Sequence, residues 1–489
     1  MAGIGVQLNR IFEKNTLVSS LIGSTYSFLI SAAPMFVVII NILIMGLALG
    51  VTKVGYAERE LFACTILYTF IFSLLTTSPF NAVLSRYLSD VIYEERFEDI
   101  LPCFEIGLLV NLVLSNLLAI PFCIREHFVG KVPIYYVFTG YTAYIALVIV
   151  FYSMLYLSIT KDYKRISFYF FIGMATAFFL SYILAKLFHW SITYAMLFSI
   201  AVGLVIAACL EFALVQHYFQ ENSQKYKMVF EYFRTYWKLI LTNFIYTLGL
   251  FIHNFVFWGT DMRMVVVKSF VCNQPYDMAS CLAMFTNISA STIFIARIEM
   301  NFNERYKKYT EAIIGGRWMD IQNTKSRMFR QISEELINLV RIQFIISVVI
   351  YFIFITLASR LGFAGMTMRI YPCLSAGYFI LFLMYSSIVF LYYFNDVTGS
   401  LMTAFSFMLV TLIGSIISTR LNEIWFGAGG VLGAVFSWSV AYWRLRWLEA
   451  HMDEHVFCKG LIIEKVTEAR PDDKVFDRYN NNEEKERWE

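Results

Sequence analysis

Residues 24–50 read STYSFLISAAPMFVVIINILIMGLALG and carry no charged side chain. As one helix they rise roughly 40 Å, enough to cross a hydrocarbon layer of about 30 Å with some tilt. A helix buried in a water-soluble core rarely needs that length. The stretch is therefore expected to be a first transmembrane helix, and it frames the rest of the chain. Pro34 removes a backbone donor and is expected to kink it. Membrane helices tolerate such breaks where a neighbour or a water-filled cavity satisfies the freed carbonyl. Ser24, Ser27, Ser31 and Asn41 share a face with Pro34 at helical spacing. They either bond back to their own helix or line a cavity, and the sequence leaves both open.

Composition extends this reading to the whole chain. Apolar residues make up 58% and charged residues 15%, against about 25% charged in soluble domains; mean hydropathy is +0.61. The 47 Phe and 31 Tyr suit aromatic belts at two membrane interfaces. A net charge of +3 on 489 residues gives no reason to expect a nucleic-acid partner. The eight cysteines form no CxxC pair, so no zinc or redox site and no metal or other cofactor is expected; they read as small packing residues.

Twelve apolar runs follow one another, near 24–50, 60–83, 102–123, 134–158, 166–187, 191–215, 237–259, 276–298, 342–359, 370–394, 399–418 and 427–445. With the N-terminus inside, 29 of the 39 Lys and Arg fall on the inner side, and no outer loop holds more than two. The excess of basic residues in inner loops sets both termini in the cytoplasm, in a multi-pass protein of the cytoplasmic membrane. Residues 1–16 are mildly amphipathic and lack the pattern of a cleaved signal, so the first span is expected to stay as an anchor.

Six runs precede a polar, basic connection at 216–236 and six follow it. The expected fold is an all-α polytopic membrane protein with about twelve transmembrane helices in two six-helix lobes, 17–215 and 237–447. The second lobe carries an insertion at 301–341, read as two helices broken at Gly315–Gly316, with Met328, Ile332, Leu336 and Leu339 as an apolar stripe. It is either a connector hugging the bilayer or a dock for a cytoplasmic partner. The tail, 448–489, is polar and carries a net charge of −5.

No phosphate loop, HExxH or GxSxG motif is present, so no catalytic residues are assigned and the chain is not read as an enzyme. Gly429 and Gly433 mark close helix packing. What remains is polar and charged groups in or beside spans, which are costly in lipid. Thr65, Thr69, Ser73 and Thr76 form one stripe above Pro79. Arg86 and Asp90 stand four apart, close enough to pair, either as an ion pair at a helix end or as a gate at the inner mouth. Asn111 lies within span 3. Asn243, Thr247 and Asn254 share a face of span 7, with His253 beside them as a satisfied core histidine or a titrating one. Glu105, Asp277, Arg297, Glu299 and Asp396 sit where spans begin or end, as interfacial charges. Glu211 is expected to snorkel towards the inner interface.

Several of these stretches resemble the PelG family of Pel exopolysaccharide transporters. The opening MAGIG, LISAAP at 29–34, LSRYLSDVIYEER at 84–96, YTLGLFIHNFVFW at 246–258 and the run from Tyr276 to Tyr306 are similar to that family's motifs; LEAHMDEHVF at 448–457 is a looser match. One departure is His253–Asn254, where the family often has an acid–lysine pair. The resemblance implies a MATE/flippase-like fold of the multidrug/oligosaccharidyl-lipid/polysaccharide exporter superfamily. It also implies movement of an aminosugar-rich biofilm polymer across the membrane, with a cytoplasmic glycosyltransferase and small membrane subunits of a Pel-type complex as partners.

The mechanism expected from this is alternating access, or a held-open channel, around a central cavity between the lobes. Thr65, Thr69, Asn111, Asn243, Thr247 and Asn254 would line it and Arg86 and Asp90 would gate it. A small-molecule antiporter of the same fold would instead need an acid deep within a span, and a membrane scaffold for a polysaccharide synthase would depend on the 301–341 insertion.

Overall fold

The structure, a computed structural model, describes residues 37–160, 163–268, 270–284, 302–361 and 365–459. Ser24, Ser27, Ser31 and Pro34, and likewise Arg297 and Glu299, lie outside the described residues, as do parts of the expected spans 24–50 and 276–298.

The described part of the first span is α1, Val37–Leu49. Then come α2 (Tyr56–Tyr93), α3 (Ile100–Phe128), α4 (Ile134–Thr160), α5 (Tyr163–Lys186) and α6 (Ile192–Tyr218). A ten-residue helix α7 (Tyr226–Thr235) fills the expected linker and leads into α8 (Trp237–Trp258). After α8 stand two short antiparallel strands, β1 (Met264–Val266) and β2 (Phe270–Cys272), and a helix α9 over 274–284. The chain continues through α10 (Asn303–Gly315), α11 (Trp318–Leu361), α12 (Gly365–Tyr393), α13 (Val397–Ser418) and α14 (Ala428–Lys459). Among the described residues, ten helices are long and apolar enough to span a membrane.

Their packing shows why the sequence is apolar all round. On α1, Val38, Asn41, Met45 and Leu49 are buried at helical spacing, whereas Ile40, Leu43, Ile44 and Leu47 are exposed. Both faces are greasy because one meets protein and the other meets lipid. Two large apolar cores form within residues 1–441. One gathers residues from Val38 to Leu239, the other residues from Phe257 to Ala434. A second compact unit begins at Tyr442; within its described part, through residue 459, Arg446 reaches Glu449 at 2.7 Å and Arg444 lies over the Trp447 ring.

Three local findings refine the sequence reading. α2 runs unbroken through Pro79, and nearby hydroxyls serve its carbonyls: Thr76 donates to Phe72, Thr77 to Ser73 and Ser78 to Leu75. The insertion does break at Gly315–Gly316, but its second helix does not end at 341; α11 carries straight on through the expected span 342–359. The hairpin is a departure from an all-helical chain. Its β-branched run at 265–267 favours a strand, and Val266, Phe270 and Cys272 turn inwards.

Glycines set how closely helices approach. A Cβ on Gly173 of α5 or Gly203 of α6 would run into the other's carbonyl. A Cβ on Gly429 or Gly433 of α14 would run into Ser415 or the Thr411 hydroxyl of α13, as their spacing predicts. Gly203→Val is expected to lower stability by about 1–3 kcal/mol through overpacking, read as a fall in melting temperature in detergent. An unchanged melting temperature would show that α5 and α6 part freely there.

Candidate functional site

A cavity of about 210 Å³ opens within the first half of the chain. Pockets for drug-sized ligands run from about 300 Å³ upwards, so this one suits a single ring-sized unit. α2 brings Thr65, Tyr68, Thr69 and Phe72 to it; α3 brings Phe122 and Glu126; α4 brings Tyr136, Tyr141 and Tyr144; Phe270 of β2 closes one wall. The tyrosine hydroxyls are engaged behind the wall. Tyr136 meets Thr65 at 3.3 Å, Tyr144 donates to Thr76 at 3.2 Å and Tyr141 donates to Asn116. The lining is largely aromatic and apolar, with two threonines and the buried Glu126 in its wall. Flat apolar faces beside a few polar acceptors suit an amphipathic ring bearing hydroxyl or amino groups.

Tyr68 ties this wall to the second half. Its hydroxyl donates to Val271 O at 2.9 Å and accepts from Val271 N at 3.1 Å. Its ring stacks on Trp258 at 5.0 Å and 3°. The Trp258 indole N–H reaches both Asp277 oxygens at 3.0 Å; Asn254 Nδ2 donates to Oδ1 at 2.7 Å and Asn273 N to Oδ2 at 3.0 Å. Asp277 was expected as an interfacial charge; instead it is buried among neutral donors that lock the start of α9 to α8. His253, next to Asn254, is a buried, hydrogen-bonded histidine, with Nδ1 2.9 Å from the Tyr276 hydroxyl.

At the other end of α2, Arg86 and Asp90 do not pair with each other. Arg86 Nη1 donates to Asn395 Oδ1 at 2.7 Å, and its guanidinium lies 4.2 Å from the Tyr236 ring centroid. Asp90 accepts from the Tyr232 hydroxyl at 2.5 Å. Burial, and the Asp90 carboxylate it donates to, push the Tyr232 hydroxyl far above its ordinary range, so it remains a donor. The ion pair expected from the four-residue spacing is thus replaced by separate contacts, to the α12–α13 turn and to α7. Planar stacking outcompetes a helix-surface pair here because aromatic faces lie within reach. Glu105 is exposed and accepts from Tyr226 at 2.8 Å. Asp396 caps α13 by accepting from Gly399 N at 3.0 Å.

The residues expected to share one central cavity are dispersed. Thr65 and Thr69 line the cavity described above. Asn111 is fully buried and turns back to Gly107 O at 2.8 Å. Asn243 donates to Ser78 O at 3.0 Å, bridging α8 and α2. Thr247 is buried in α8, and Asn254 belongs to the Asp277 cluster. Sequence reading missed Glu126 and the tyrosines. Their signal was the spacing of Tyr136, Gly140 and Tyr144 along one face of α4, with Tyr68 and Phe72 four apart on α2. It also misjudged Glu211, which does not snorkel: its exposure is 0%, and neither carboxylate oxygen has a partner among the described residues.

With this geometry in view, comparison with known proteins gives a consistent result. The sequence profile of a family described as "PelG: Putative exopolysaccharide Exporter (EPS-E)" matches residues 1–457. The chain belongs to this family. No curated protein sequence matches it. The fold is similar to that of an outward-facing multidrug resistance MATE family transporter of the MOP superfamily: TM-score 0.61, 13% identity, 92% of this chain and 99% of that one covered. A MATE transporter in complex with MaD5 gives a TM-score of 0.58 at 12% identity over 91% and 99% of the two chains. A Vibrio cholerae MATE transporter gives 0.57 at 12% over 92% and 98%. This member of the exporter family is therefore a multi-pass membrane protein with a MATE-type fold.

Two outcomes test the site. If Arg86 and Asp90 acted as an ion pair, exchanging them would restore function. The exchange Arg86→Asp with Asp90→Arg is instead expected to cut export at least as much as either single change, at matched protein levels; rescue by the exchange would restore the ion-pair reading. Glu211→Gln removes a buried group that costs free energy when charged. Its melting temperature is expected to equal or exceed that of the parent, and a marked loss would mean the carboxylate has a supporting role.

Proposed function

We propose that this chain exports a Pel-type, aminosugar-rich exopolysaccharide across the cytoplasmic membrane, with both termini in the cytoplasm. The family match over residues 1–457 carries this reading, and the chemistry of the cavity supports it. Tyrosine faces suit the C–H faces of a sugar ring, Thr65 and Thr69 suit its hydroxyls, and Glu126 suits an ammonium or hydroxyl donor. At about 210 Å³ the cavity holds one unit rather than a chain segment, which favours stepwise movement over a wide static channel. α2 reaches both ends of the path. Tyr68 holds the hairpin at one end, and Arg86 meets Asn395 and Tyr236 at the other. Opening at either end breaks a small set of contacts to neutral partners, a modest cost suited to a cycling protein.

The glycosyltransferase and small membrane subunits that such an exporter works with would dock on α10 and α11. Ile314, Trp318 and Met319 stand exposed at the Gly315–Gly316 break there. The same apolar knob, with the basic residues near it, would equally rest on an anionic bilayer. No metal or cofactor enters this mechanism.

A second reading, a small-molecule antiporter of the same fold, gains from one observation. It needs a buried acid within a span, and Glu211, fully buried near the inner end of α6, offers one. The two readings separate in a deletion strain complemented with the parent or with Glu126→Gln. Losing a charge-assisted hydrogen bond worth about 1.5–3 kcal/mol is expected to lower extracellular aminosugar polymer roughly ten-fold or more, with the glycosyltransferase still in the membrane. Unchanged polymer together with lost drug efflux would install the antiporter instead.

A further inference from the structure

The thiols of Cys64 and Cys272 lie 3.1 Å apart, each almost fully buried, although 208 positions separate them in sequence. Cys64 stands in the first turns of α2 and Cys272 ends β2. Val266 and Phe270 complete the apolar cluster around them. Among the described residues no other two thiols approach each other within hydrogen-bonding reach. Two small side chains could simply pack here. Their surroundings argue for more. Phe270, on the same inward face of β2, is a wall of the cavity. Tyr68, one turn after Cys64, holds Val271 by both its backbone groups. A bond between the sulfurs would therefore fix that wall. The distribution of basic residues also puts this end of α2 and the hairpin on the outer side of the membrane, where disulfides form and persist.

The geometry points to a reversible disulfide between Cys64 and Cys272 that ties the hairpin to α2 and holds the cavity shut on that side. Its effect on transport rests on the export reading above; the bond itself does not. An S–S bond of about 2.05 Å needs the sulfurs to close by roughly 1 Å. The oxidant, by class, is a small molecule or protein bearing its own disulfide. One cysteine loses its proton, and its thiolate attacks that disulfide; a mixed disulfide forms and one oxidant sulfur leaves as a thiolate. The second cysteine loses its proton and displaces the remaining oxidant sulfur. The oxidant departs as two thiols, on one molecule or on two, carrying the two electrons and two protons. Both thiols are covered while the hairpin is docked, so the first exchange requires the hairpin to lift and the second brings it home. Excess dithiol reverses both steps.

The test uses the full-length protein in detergent, treated with oxidised glutathione and digested without reductant for mass spectrometry. A peptide cross-linked between Cys64 and Cys272 is expected in the parent. It should be absent from Cys64→Ser and from Cys272→Ala and lost on adding dithiothreitol. Oxidation is expected to slow hydrogen exchange across β1 and β2 several-fold in the parent alone. In cells, a membrane-impermeant disulfide oxidant is expected to lower extracellular polymer several-fold in the parent but not in Cys64→Ser. Absence of the cross-linked peptide overturns the proposal, as does a cross-link that leaves both exchange and export unchanged. Cross-linking and slowed exchange in a protein that exports no polymer would uphold the bond and the closure and refute the export reading alone.

Discussion

The contact on which most of this arrangement depends is made by Tyr68. One hydroxyl satisfies both the N–H and the C=O of Val271, and the ring behind it lies flat on Trp258. A short two-stranded hairpin is marginal by itself. Here the unpaired edge of β2 is met by a side chain of α2, so the hairpin is stable only where α2 holds it. Trp258 in turn is held by Asp277, and Asp277 by Asn254 and Asn273. A single relay of hydrogen bonds and stacked rings thus runs from the first half of the chain to the start of α9.

The preference for neutral partners recurs. Asp277 accepts from amide, indole and backbone donors, Asp90 from a tyrosine, and Arg86 donates to an amide over an aromatic face. Burying a full ion pair carries a desolvation penalty that its attraction often fails to recover. Spreading each charge over neutral dipoles avoids that penalty. It also leaves contacts that part without stranding a bare opposite charge. Glu211 stands outside this pattern, buried without a partner among the described residues. Ionised, it would pay heavily for its place; protonated, it is nearly as tolerable as a glutamine. The burial of Asp277, read from sequence as an interfacial charge, likewise shows that position along a span does not tell where an acid ends up.

Much of the fold was legible in the sequence. The apolar runs placed ten of the expected spans on long helices, although α2, α11 and α14 run well beyond the expected bounds, and the glycine pair at 429 and 433 gave one helix contact outright. The apolar stripe from Met328 to Leu339 was legible too, with Met328, Ile332 and Leu339 buried. The motif at 84–96 drew attention to Arg86 and Asp90 but misread their relation. Spacing along one helix reports which residues can touch, not which better partner another helix brings.

Hydrophobic length and charge placement are one-dimensional properties, so the sequence alone determined that this chain crosses a membrane many times, as a helical protein, and with which residues inside each span. The tertiary structure decided what those residues do. It separated Thr65 and Thr69 from Asn111, Asn243, Thr247 and Asn254, buried Asp277, and brought Cys64 to Cys272 and Glu126 to a ring of tyrosines. Each of these depends on contacts between helices far apart in the chain. Because lipid and protein interior are equally apolar, the sequence pattern of a span does not mark which of its faces meets protein; only packing does.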